Sequence, residues 1–209
     1  MIDKLNVISK KKSIPYNQYF GDMGITSIQK KKRIKFAEEL EDVFYVLFLM
    51  ILNDYLDGVD LDEYYYSEFL ERRYFDVVVA NTDYLENDDK SIQYVKDISK
   101  LIVSATIVNI TNDYYTSDDR CVFVSENESN TIMNYDEHID AIVNGKSHKK
   151  WITMNDKYVR HSHISLEGKT IGIFESFKVG NSKMDFPRDD SYGASDTEIV
   201  NCRCSIKYY

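Results

Sequence analysis

Residues 150–177 read KWITMNDKYVRHSHISLEGKTIGIFESF, and residues 186–209 read FPRDDSYGASDTEIVNCRCSIKYY. Upstream of Lys150 the apolar residues recur every three or four positions, whereas from Trp151 onward they alternate. A period that falls from about 3.6 towards 2 marks a passage from helix to strand. Trp151 with Thr153, and the run Thr170-Ile171-Gly172-Ile173-Phe174, predict short strands. Turns fall at Asn155-Asp156 and Glu167-Gly168-Lys169.

The same region carries two pairs of ligand-type side chains, His161 with His163 and Cys202 with Cys204. A strand over 199–207 would put Val200, Cys202, Cys204 and Ile206 on one face. Asn201, Arg203, Ser205 and Lys207 would line the other. Three readings stand open, a disulfide between the cysteines being the least favoured. The cysteines are small buried side chains, as unpaired cysteine often is, or they form a zinc site with His163 and His161. The i, i+2 spacing is narrower than usual for zinc pairs and favours the first reading.

Working outward, the spacing predicts one long helix over 30–56, with Phe36, Leu40, Val43, Phe44, Leu47, Ile51 and Tyr55 at three- and four-residue steps. Apolar residues spread around its circumference between Val43 and Leu52, so it is expected at the centre of a bundle or interface. Gly58 closes it. A second helix is expected over 61–82. A third follows Asn87-Asp88-Asp89, with a stripe of Ile92, Val95, Ile98, Leu101, Ile102, Ala105 and Val108. Asn112 to Arg120 reads as a polar turn. Ser125 and Glu128 form an S-x-x-E capping box ahead of a helix that ends near Gly145. The predicted fold class is α+β: an N-terminal helical bundle with a long central helix, then a helix packed on a small, mostly antiparallel C-terminal sheet. Three segments are expected: a partly extended basic arm over 1–30, a helical region over 31–120, and a C-terminal domain over 121–209.

The 209 residues are 43% hydrophobic and 29% charged, as in a folded domain, and the net charge is −9. Charge is uneven: residues 1–35 hold nine Lys/Arg against Asp3 and Asp22, and the rest is acidic. A basic arm on an acidic body suits docking to an acidic partner or to nucleic acid. The acidic body argues against a duplex-binding protein as a whole. The ten-residue apolar run from Val43 to Leu52 is too short to span a bilayer, and no leader is expected at the N-terminus. Three cysteines, an odd number, point to a reducing interior. There is no P-loop, dinucleotide fingerprint or G-x-S-x-G elbow. No catalytic residues and no enzymatic activity are expected.

The ordered elements Lys150-Trp151-Ile152-Thr153, Asp156, Arg160-His161-Ser162-His163, Leu166-Glu167-Gly168, Phe174 with Phe177, Pro187-Arg188-Asp189-Asp190 and Glu198-Ile199-Val200-Asn201-Cys202-Arg203-Cys204 resemble the C-terminal signature of the phage Mu protein F-like family. Members are minor head, or head morphogenesis, proteins of tailed phages and prophages. The histidine of the family pattern matches His163, three after Arg160; His161 falls where the pattern is not fixed. Upstream, Asn127-Glu128, Asn130 and Asn134 match the spacing of the family's helix, with Asn127 where the family has Thr. The resemblance covers about residues 120–209. It implies a signature set of Glu128, Asn134, Trp151, Asp156, Arg160, His163, Gly168, Asn201, Cys202, Arg203 and Cys204.

What the resemblance implies is a structural protein of the phage head. It would associate with the portal protein or the major capsid protein and act in head assembly or DNA delivery. It would reside in the virion, in the host cytoplasm during assembly, and not in a membrane. Phage DNA is a further expected partner through the basic arm. The alternative is a zinc-binding interaction module, or an F-like domain of the kind found fused to prophage toxins. No cofactor is expected on the first view, and zinc at His163, Cys202 and Cys204, with His161 as a fourth ligand, on the second.

Overall fold

The computed structural model describes residues 13–21 and 23–209. The lysines of residues 1–12 lie outside the described residues. The chain forms two compact units. One is helical and holds 35–126; the other is mixed and is built from 14–34 together with 127–209. Helix α1 covers Ser13–Tyr19 and helix α2 covers Ser27–Leu56, so much of the segment expected as an extended arm is helical.

In the helical unit, α2 is followed by α3 (Glu63–Asn81) and α4 (Asp89–Val108), then a 3₁₀ turn (Asp113–Thr116) and the start of α5 (Asp118–Val143). Phe36, Leu40, Phe44, Leu47 and Ile51 form the buried stripe of α2. Tyr74 of α3 packs edge-on to both Phe36 and Phe44, each at 6.3 Å between ring centroids. The helix ends in a Schellman turn: Val59 N–H donates to the Asp54 carbonyl and Gly58 N–H to that of Tyr55, with Gly58 at φ +71°. Asp62 and Asp88 cap α3 and α4 through side-chain oxygens.

Three sequence expectations change here. Helix α2 is one-sided rather than buried all round, since Val46, Leu49 and Leu56 are exposed. Helix α4 buries only part of its expected stripe: Val95 and Ile102 face in, together with Ser91, Ser99, Val103 and Thr106, while Ile92, Leu101 and Val108 face out. Small hydroxyl side chains let helices approach closely. Two of them satisfy themselves on carbonyls, Ser91 on Leu85 and Thr106 on Ile102, each at 2.7 Å. Finally, Ser125 and Glu128 cap nothing. Helix α5 already begins at Asp118, where Ser117 Oγ accepts from Arg120 N–H at 3.2 Å. Both residues lie buried in mid-helix.

The mixed unit carries the predicted small antiparallel sheet, and the α+β class holds. Strand β1 (His148–Ile152) lies between β2 (Thr170–Gly172) and β5 (Ser205–Tyr208), antiparallel to both, with Trp151 opposite Ile206. A separate hairpin joins β3 (Phe177–Val179) to β4 (Ser182–Met184). Two single-turn helices, α6 (His161–Ile164) and α7 (Asp196–Ile199), complete the unit. Its core is Trp151, Leu166, Phe177, Val179, Met184, Phe186, Cys202, Cys204 and Ile206. The strand expected over 199–207 is shorter. Residues 196–199 are helical, Asn201 sits at φ +57°, and pairing starts only at Ser205. Val200, expected inside, is half exposed.

Candidate metal centre

Helix α6 and the segment before β5 bring His163, Cys202 and Cys204 together, all three buried. Their potential ligand atoms lie within 4.8 Å of one another. His163 Nδ1 is 3.4 Å from Cys204 Sγ and 3.5 Å from Cys202 Sγ. A tetrahedral zinc with Zn–S near 2.3 Å and Zn–N near 2.0–2.1 Å needs N···S edges of roughly 3.5 Å. The spacing therefore matches that of ligands around one ion. His161 does not join the group: it is exposed, on the opposite side of a single helical turn. The four-ligand set expected from sequence reduces to three, because i and i+2 on a helix point apart.

The other ring nitrogen of His163, Nε2, lies 3.0 Å from Glu198 Oε2. Ser162 Oγ donates to the same oxygen at 2.6 Å. A carboxylate on the far nitrogen fixes the ring and leaves Nδ1 facing the sulfurs, the usual arrangement behind a metal-bound imidazole. Trp151 stands edge-on to the His163 ring at 5.6 Å and closes the apolar side. The electrostatics favour a thiolate at one of the two sulfurs. A hydrogen bond from Cys204 brings the Cys202 thiol well below its ordinary pKa against the cost of burial, and His163 assists. The same bond, with burial, pushes Cys204 well above. Burial works against the charged imidazole, yet contact with Cys202 raises the His163 pKa. A thiolate is the form that binds metal. Both sulfurs are shielded from solvent, which suits holding an ion better than attacking a substrate.

Most of the remaining signature residues make contacts around this centre. Asn130 Nδ2 donates to the carbonyls of Cys202 (3.2 Å) and Cys204 (3.3 Å), and Asn134 Nδ2 to that of Cys204 (3.3 Å). These carbonyls are thus claimed by α5 rather than by a sheet partner, which explains why the strand starts late. Between the cysteines, Arg203 points outward and grips Asp156 with contacts of 2.7 and 2.9 Å. Arg160 Nη2 donates to the Val200 carbonyl. Gly168, at φ +74°, turns the chain so that its N–H reaches the Trp151 carbonyl at 3.0 Å. Glu128 faces Arg188 across 3.8 Å, both buried. Asn201 is exposed, and its contribution is the left-handed turn.

Two participants were missed from sequence. Glu198 reads as an ordinary helix-cap acid in Ser195-Asp196-Thr197-Glu198. Arg33 reads as one of a run of surface cations. It is in fact fully buried, donating to Asn130 Oδ1 (3.3 Å) and Asn134 Oδ1 (3.1 Å) behind the cysteine carbonyls.

No family model matches this chain, and no solved structure matches it. Over 75 residues it is 35% identical to a protein named NAD(+)--arginine ADP-ribosyltransferase EFV from Enterococcus faecalis. That stretch is 36% of this chain and 14% of that protein, so the chain spans only about a seventh of the relative. The match overturns the expectation that enzymatic activity has no place here, since the relative is named as an enzyme. Among the described residues no helix is long and apolar enough to cross a membrane.

Proposed function

We propose that this protein is a minor head component of a tailed phage or prophage, associated with the portal or the inner capsid, and that a zinc ion braces its C-terminal unit. One observation carries this reading. Signature residues scattered from Glu128 to Cys204 serve one small unit, most of them through contacts around the His163–Cys202–Cys204 group. Zinc fits the donor set, two sulfurs and an imidazole nitrogen at tetrahedral spacing. When bound, the ion would supply folding free energy to a unit whose sheet has only three short strands. Affinity capture from cells producing phage heads tests the assembly role. Co-purification with portal or major capsid protein is expected; its absence from assembled heads would refute the role.

A second reading is favoured by the match to the Enterococcus faecalis protein. The shared stretch would then belong to a polypeptide that modifies arginine with ADP-ribose from NAD(+). Incubating the full chain with labelled NAD(+) and an arginine-rich acceptor separates the two. Transfer of label supports the second reading, and its absence alongside capture of head proteins supports the first.

A further inference from the structure

Strand β1 turns one basic side chain into the core. Lys149 shares the buried face of the strand with Trp151, is fully shielded, and its Nζ has no hydrogen-bond partner. A buried ammonium carries three donors that need acceptors. The nearest carboxylate oxygen, Asp185 Oδ1, is 3.8 Å away, outside hydrogen-bonding reach. The Phe177 ring lies 5.8 Å from Nζ. Burial lowers the Lys149 pKa, and this outweighs the opposing pull of Asp185, Asp189 and Glu175. Burial thus makes the Lys149 ammonium easier to deprotonate than a lysine in water.

Asp185 directly follows β4 and is held on every side. Ser176 Oγ donates to Oδ1 at 2.5 Å and Tyr192 OH to Oδ2 at 3.0 Å. Its backbone N–H donates to Asp189 Oδ2 at 2.7 Å. Each carboxyl oxygen therefore has a hydroxyl donor, the arrangement that stabilises an addition intermediate at the carbon between them.

We propose that Lys149 and Asp185 condense into an intramolecular isopeptide bond once the unit has folded. Within the pair one ammonium proton passes to the carboxylate, giving a neutral amine and a carboxylic acid. The Nζ lone pair attacks Cγ, and the C–N bond forms. Ser176 and Tyr192 donate to the two oxygens of the tetrahedral intermediate. The C–OH bond then breaks, and the hydroxyl leaves with one Nζ proton as water. The balance is ammonium plus carboxylate to amide plus water, with no oxidant, metal or nucleotide. The product replaces a poorly paired buried charge by a neutral amide and ties the three-stranded sheet to the β3–β4 hairpin.

Intact-mass measurement of the purified full chain under denaturing conditions tests this. The wild-type protein is expected one water lighter than its sequence mass, and digestion should yield a branched peptide joining the Lys149 and Asp185 segments. Lys149→Met and Asp185→Ala should restore the full mass. A wild-type chain at full sequence mass, with Lys149 recovered in a linear peptide, would overturn the proposal. So would a water loss that persists in Lys149→Met.

Discussion

Arg33 and Glu137 meet as a two-pronged ion pair between helices: Nη1 contacts Oε1 and Nη2 donates to Oε2 at 3.0 Å, with Arg33 wholly shielded. The same guanidinium holds the two asparagines that fix the cysteine carbonyls. Its backbone carbonyl accepts from Ser129 Oγ at 2.7 Å. One side chain thus fastens residues 14–34 to the rest of the mixed unit.

Arg33→Met should be among the most damaging single changes in that unit. It strands a carboxylate and two amide oxygens, and breaking one side of a buried pair costs about 3–5 kcal/mol. Urea unfolding of the variant measures this. A loss below about 1 kcal/mol, the range of surface pairs, would show that the pair is not structural.

Metal removal is the second test. Protein prepared without chelator should hold about one zinc per chain, lost in Cys202→Ser or Cys204→Ser together with much of the unit's thermal stability. His161→Ala should leave both unchanged. If the metal-free protein melts as the loaded one does, the cysteines act only as packing.

Gly180 tests the support behind His163. It sits in the hairpin turn at φ +57°, where an added Cβ would clash with Glu198 Oε1. Gly180→Ala should displace Glu198 from the imidazole and weaken metal affinity by about 10- to 100-fold, the usual effect of losing such a partner. Competition with a chromophoric chelator reads the change; unaltered affinity would separate Glu198 from the centre.

The helical unit offers a pH test through Cys121. Burial, aided by Asp118 and Glu41, pushes its thiol up to about 12. The folded value lies above the unfolded one, so the stabilisation is complete below the unfolded thiol range, near 8.5. It drains away as pH rises from there towards 12. Compared with wild type, Cys121→Ala should lose stability less steeply above pH 9. Parallel curves for the two proteins would contradict this account. In the same unit, Leu47→Asp, which buries a charge with no partner, should abolish folding.

The sequence made the class of fold readable because α2 and α4 carry apolar residues at three- and four-residue steps and end signals at Gly58 and Asp88. It misled where two patterns competed. Helix α4 has an apolar stripe and a small-residue stripe, and only packing decides which turns inward. Ser125 and Glu128 fit a cap motif, but the chain had been helical since Asp118. At the candidate site, His163, Cys202 and Cys204 were legible as ligand types at suggestive spacing. Glu198 and Arg33 were not, because a charged residue acquires its role from neighbours far away in the chain. The fourth ligand failed for a geometric reason: His161 and His163 lie on a helical turn, not on the extended backbone that would have aligned them.

The layout of the mixed unit also bears on how the protein is made. Its central strand, β1, must pair on one side with β5, and the ladder begins between His148 and Tyr209. Residues 14–34 find their Arg33 partners only after Asn130, Asn134 and Glu137, about a hundred residues later in the chain, have been synthesised. Such long-range pairing is slow and delays folding of the unit until its last strand has been made. Until Ser205–Tyr208 emerges, β1 presents an open edge and a half-assembled pocket to its surroundings, and a nascent chain at that stage is the form most exposed to aggregation.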